Sequence, residues 1–191
     1  MSRPLRAERY AFKKEIIDGR EVITPLASPT LARLVTDRLP YLDFHEAMDF
    51  YDHFVHSSPT AYDLALLGCN DRYFLLTGLL NRIDAIHPWL YERCREVEAE
   101  PDGYLDLWSR GHYKSSIQTF AGSIQEILCD PEVRICIFSN TKDIAQPFCQ
   151  QIKEEFEVNE LLQQIYPDVL FANPRKDAPT WTASAITVKR R

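Results

Sequence analysis

Lys114 and Ser115 lie in the run DLWSRGHYKSSIQTFAG, residues 106 to 122, and their types and spacing could do chemistry. A lysine and a hydroxyl at the start of a helix can hold a nucleotide. The lysine reaches the β- and γ-phosphates, the hydroxyl sits on magnesium, and the unpaired amides and positive dipole end of the helix face the anion. The usual pattern for that work is G-x-x-x-x-G-K-[ST]. Here Trp108 and Tyr113 stand at the two glycine positions, and Gly111 lies elsewhere in the loop. Glycine normally serves where backbone must curl round phosphate or take positive φ, so the pattern fails as written. A surface lysine beside an ordinary helix cap has the same outline, and from these residues alone both readings stand.

The elements around the loop supply the setting that the first reading needs. GYLDLWS, after the Pro101-Asp102-Gly103 turn, is expected to be a short strand that delivers the chain to the loop. Beyond it Ile117, Phe120, Ala121, Ile124, Ile127 and Leu128 form the apolar face of an amphipathic helix that ends near Asp130-Pro131. VRICIFS follows as a run apolar on both faces, which suits the interior of a parallel sheet. Strand, loop, helix and strand in succession make a βαβ unit.

Upstream, Phe44, Met48, Tyr51 and Val55 recur at helical spacing. SPTAYDLALLGCNDRYFLLTGLLNRI reads as one or two helices, and HPWLYERCREVEAE as another, with Leu90, Cys94 and Val97 on its stripe. Downstream, a long helix carries Ile144, Phe148, Ile152 and Phe156, and Pro147 should kink it or delay its start. A short strand, a loop and a last strand, AITVKR, close the chain. Residues 1 to about 40, punctuated by Pro4, Pro25, Pro29 and Pro40, are expected to form an irregular or loosely docked arm.

Composition bounds the function. With 191 residues, 45% hydrophobic and 26% charged, the chain suits one globular domain. The net charge of −6 argues against indiscriminate coating of nucleic acid, and the basic end VKRR reads as a solvated hairpin or tail. Five cysteines without a CxxC pair suggest thiols rather than a disulfide or zinc framework. No run approaches the roughly 20 apolar residues of a membrane span, so a cytoplasmic location is expected. His45, His53 and His56, with Asp49 and Asp52, read as surface residues rather than a metal site. The runs EVEAEPD and KEEFEVNE read as wet helix faces.

Several segments together extend this reading: CNDRYFLLTGLL, the stretch from HPWLYERCREVEAE through LDLWSRGHYKSSIQTFAGSIQEIL, ICIFSNTKDIA, YPDVL and VKRR. Across about residues 60–191 the chain resembles the N-terminal ATPase region of tailed-phage terminase large subunits, the motors that package viral DNA. The glycine-poor loop is part of that likeness, because these proteins often carry R-x-x-[G or aromatic]-K-[ST]. The resemblance implies an incomplete P-loop NTPase-type α/β fold with a parallel sheet, preceded by a mainly helical region. It divides the chain into an arm and helix, 1–58, and a partial ATPase domain, 59–191.

The nucleotide site it implies comprises Ser109, Arg110, Gly111, His112, Tyr113, Lys114, Ser115 and Ser116, with ATP and Mg²⁺ as cofactors. Lys114 would contact phosphate, Ser115 would place its hydroxyl on Mg²⁺, and Arg110 would act near the γ-phosphate. The small terminase subunit, the portal protein and viral DNA are the implied partners, in an assembly that can be oligomeric within the host cytoplasm. The family's acidic strand, an apolar run ending in acids that polarises the attacking water, has no counterpart here, nor has its nuclease domain. Hydrolysis by this chain alone is therefore expected to be weak or absent. The competing expectation is a prophage remnant or interaction module whose loop is vestigial.

Overall fold

A computed structural model describes residues 5–99, 105, 107–109 and 111–190. The chain begins by docking, not as a loose arm. Arg6 and Asn70 exchange hydrogen bonds of 2.8 and 3.1 Å, and Arg6 pairs with Glu126 at 2.7 Å. The Arg9 guanidinium donates to the carbonyls of Leu128 and Cys129, a cation on the negative end of the helix that finishes there. Tyr10 is buried edge-on against Tyr166. These contacts overturn the expected irregular arm, because prolines punctuate elements here without preventing them.

Strands β1 (Phe12–Ile17) and β2 (Arg20–Pro25) then form an antiparallel hairpin. Its turn is Asp18-Gly19, both at positive φ (51° and 73°), as a two-residue turn with the native twist requires. Pro29 opens α1 (Pro29–Asp37), whose Leu31 and Val35 are buried. Helices α2 (Phe44–His56) and α3 (Ala61–Asn70) each start with a reciprocal capping box, Asp43 with Glu46 and Thr60 with Asp63. On α2 the buried stripe is Ala47, Tyr51 and Phe54, while Val55 is exposed.

Helix α3 is the centre of the molecule. Ala65, Leu66, Leu67 and Cys69 are wholly buried in the core. It leads into the short α4 (Arg72–Phe74) and a π-helical turn, Leu75–Leu79. Helix α5 (Pro88–Ala99) buries Leu90, Cys94 and Val97, the expected stripe. After the loop, a π-helical segment, Ser115–Ala121, continues into α6 (Gly122–Cys129). Ile117, Phe120, Ile124 and Leu128 are buried along this run, so the expected amphipathic helix is present, wound more widely at its start.

Helix α7 (Lys142–Val158) includes Pro147 and starts ahead of it, so of the two expected outcomes, a kink or a late start, the late start does not occur. It buries Ile152 and Phe156 and leaves Ile144 exposed. The short α8 (Glu160–Ile165) and α9 (Pro174–Asp177) complete the helices.

The molecule is thus mixed α and β, and the hairpin is the sole sheet among the described residues. The expected strand before the loop is not formed by its described residues, 105 and 107–109. VRICIFS has no ladder partner among the described residues, and AITVKR contributes one isolated antiparallel bridge, Trp181 with Ile186. No parallel pair occurs among the described residues.

Candidate functional site

The helix that follows the loop is fixed by a buried polar network. Gln125, fully buried on α6, accepts from Arg72 Nε at 3.1 Å and donates to the Gly68 carbonyl at 3.1 Å. Glu98 of α5 accepts from the Arg72 amide at 2.8 Å and from Arg95 at 3.0 Å. Arg95 also reaches Asp71 at 2.7 Å, and the Tyr51 hydroxyl donates to the same carboxylate. Burial alone would lower the Arg95 guanidinium, but Asp71, Tyr51 and Glu98 outweigh it and hold the group above its ordinary value. Elements α2, α4, α5 and α6 are therefore tied through one buried network of charged and amide groups, which anchors α6 at Gln125.

The loop's side chains point outward to other elements. The Tyr113 hydroxyl donates to Asp84 at 2.6 Å, a contact that lowers the Asp84 carboxyl and raises the Tyr113 phenol. Ser109 Oγ lies 2.8 Å from His112 Nδ1, and the His112 ring meets Trp89 edge-on at 5.7 Å. Trp108 packs against Trp89 with ring centroids 5.1 Å apart. A cavity of 570 Å³ opens beside them, lined by His87, Trp89, Leu107, Trp108, Ser109 and His112.

The backbone does what the missing glycines usually do. Gly111 has φ of 81°, and a side chain there would meet nothing within 4 Å. Tyr113, at the second pattern position, has φ of 59°, the left-handed region that glycine enters freely and other residues enter at a cost. Its hydrogen bond to Asp84 helps to hold it there. The loop thus adopts glycine-like backbone with a tyrosine, which the residue pattern does not reveal.

Lys114 caps the helical run and is half-buried, and Ser115 and Ser116 follow in its first turn. Among the described residues Lys114 has no ion-pair or hydrogen-bond partner. A lysine beside the first amides of a helix suits an anion, because the helix end offers unpaired N–H groups and a positive partial charge. Ser115 is exposed, so its hydroxyl is open to a ligand. Arg110 lies outside the described residues. Ser109, Gly111, His112, Tyr113, Lys114, Ser115 and Ser116 form one continuous loop and helix start.

What the sequence reading missed is the outer support, Asp84, Trp89 and Arg72. Asp84 sits 29 residues before Tyr113, and no local spacing signals that contact. No group of three or more His, Cys, Asp or Glu side chains among the described residues could hold a metal ion, and no helix is long and apolar enough to cross a membrane. Comparison with protein-family models, curated proteins and solved structures finds no match.

Proposed function

We propose that this chain binds Mg·ATP on the loop from Ser109 to Ser116, as the N-terminal, ATP-binding part of a terminase large subunit. The observation that carries the reading is Lys114, half-buried and with its side chain unpartnered among the described residues, at the head of a helix and beside left-handed backbone at Gly111 and Tyr113. In this reading Lys114 binds the β- and γ-phosphates, the amides of the helix start receive phosphate oxygens, and Ser115 holds the magnesium. Arg110 acts on the γ-phosphate, where a guanidinium stabilises developing charge.

His112 and Tyr113 leave the phosphates to the backbone, since their side chains engage Ser109, Trp89 and Asp84. The runs 133–139 and 185–190 are strands of a parallel P-loop-type sheet that is completed in the working motor. That motor packages viral DNA in the host cytoplasm with a small terminase subunit and a portal protein. The chain alone hydrolyses ATP weakly or not at all, because the acids that polarise water have no counterpart in its sequence.

Melting with and without nucleotide tests the proposal. At 100 times the Kd a ligand bound only by the folded state adds about 2.7 kcal/mol. At about 2–4 °C per kcal/mol for a chain of this size, Tm should rise by roughly 5–11 °C. Lys114→Ala should abolish that rise while keeping the melting temperature of the nucleotide-free protein. An unmoved wild-type Tm at millimolar Mg·ATP would overturn the proposal.

A further inference from the structure

The cavity beside the loop stands on a rigid base. His87, just ahead of α5, is fixed at three atoms. Its amide donates to the buried Tyr73 hydroxyl at 3.1 Å, its carbonyl accepts from the Leu90 and Tyr91 amides at 3.0 and 3.1 Å, and its ring Nδ1 accepts from the Trp89 amide at 3.1 Å. Trp89, in the first turn of that helix, has the Arg93 guanidinium over its ring at 5.8 Å and His112 at its edge. Trp108 packs on Trp89 at a tilt of 58°. These contacts hold the wall in place without help from a ligand, which lowers the ordering cost of binding one.

The wall is aromatic, and it is unfinished. Four of the six residues that line the cavity are rings: His87, Trp89, Trp108 and His112. Whereas Trp89 meets Arg93, Trp108 and His112, Trp108 has one ring contact among the described residues, Trp89. Trp108 is half-buried and Leu107 beside it is 84% exposed, so indole and aliphatic surface borders open space. A polar handle accompanies that surface. Because Nδ1 of His87 accepts from an amide, the ring proton sits on Nε2, which leaves an N–H donor on a residue of the cavity wall. At 570 Å³ the cavity falls within the roughly 300–1,000 Å³ of small-molecule sites.

We infer that this cavity takes the base of the nucleotide, stacked on Trp108, with the His87 N–H available to a ring nitrogen. The inference rests on the reading of residues 109–116 as the phosphate site. Ser109 and His112 belong to both the cavity and that loop. Base and phosphates are joined through one ribose, so a triphosphate held on the loop must leave its base to a neighbouring site. An open indole face with a nearby donor matches a base on both counts, since every base carries a π face and ring or carbonyl acceptors. An aliphatic ligand would leave the donor unmet, and a bare anion would gain nothing from the rings.

Calorimetric titration of the full chain with Mg·ATP, and with Mg·tripolyphosphate as a ligand that has phosphates and no base, tests the inference. Losing one base–aromatic stack costs about 5- to 100-fold in affinity. Trp108→Ala should weaken Mg·ATP by that factor and Mg·tripolyphosphate much less, with far-UV circular dichroism as the folding check. Trp108→Phe keeps a π face and should retain most of the affinity for Mg·ATP. Unchanged Mg·ATP affinity in Trp108→Ala would overturn the inference and leave the phosphate loop standing. Equal losses for the two ligands would also overturn it, because Trp108 would then support the loop and not a base. If the wild type bound neither ligand, the nucleotide reading itself would fall, and this inference with it.

Discussion

Asp71→Asn removes the charge at the centre of the network that seats the helix after the loop. Asp71 is fully buried and accepts from Arg95 at 2.7 Å, from the Phe74 amide at 3.0 Å and from the Tyr51 hydroxyl. Asparagine keeps one oxygen for the amide but leaves Arg95 a buried cation short of one partner. Breaking a buried pair from one side generally costs about 3–5 kcal/mol. Glu98 remains on Arg95 at 3.0 Å, which places the loss near the lower end, about 3 kcal/mol. For 191 residues that corresponds to a fall in Tm of roughly 6–12 °C, read by circular dichroism during heating. The double variant Asp71→Leu with Arg95→Met removes both charges and should recover part of the loss, because no unpaired charge is left behind. A single-variant loss below about 1 kcal/mol, or a double variant worse than the sum of the singles, would refute the reasoning.

Two further outcomes follow from local geometry. A Cβ added at Gly68 would lie 2.6 Å from the Tyr166 hydroxyl and 2.8 Å from Leu79, so Gly68→Ala should lose about 2–4 kcal/mol from overpacking and the displaced Tyr166 bond to Ala65, measured by urea unfolding. The Arg175 guanidinium at 2.7 Å, with help from the Trp181 indole, holds the Glu157 carboxyl below its ordinary value of 4.5. A lowered folded value contributes stability above the unfolded value that is lost as pH falls through the folded one. Glu157→Gln should therefore be less stable than the wild type at neutral pH and match it in strong acid, as a series of melts across that range would show.

Much of the helical framework was legible because its signals are local. Asp43 with Glu46, Thr60 with Asp63, and Pro88 at a first turn lie within four residues of helix starts, whereas Pro29, at the first turn of α1, falls within the stretch expected to be an irregular arm. Apolar spacing then gives the buried faces of α5 and α6. The hairpin was equally local, since Asp18-Gly19 between KKEII and REVIT is a two-residue turn signal, but the nearby prolines drew the reading toward an irregular arm. The loop was legible as a run of residues and not as a conformation, because a tyrosine at φ of 59° depends on Asp84 from another element. The strands failed for a different reason. Sheet structure is a property of pairs, and Ile135, Ile137 and Phe138 carry strand preference without a described partner to pair with.

The most direct test of the account is a titration of the wild type and Lys114→Ala with Mg·ATP, following tryptophan emission. Trp108 belongs to the loop and packs on Trp89, so a loop that closes on phosphate should change the environment of both rings. The account predicts a saturable change in the wild type and none in Lys114→Ala. A flat response in the wild type, or the same saturation in the variant, would contradict the assignment of the loop as the nucleotide site.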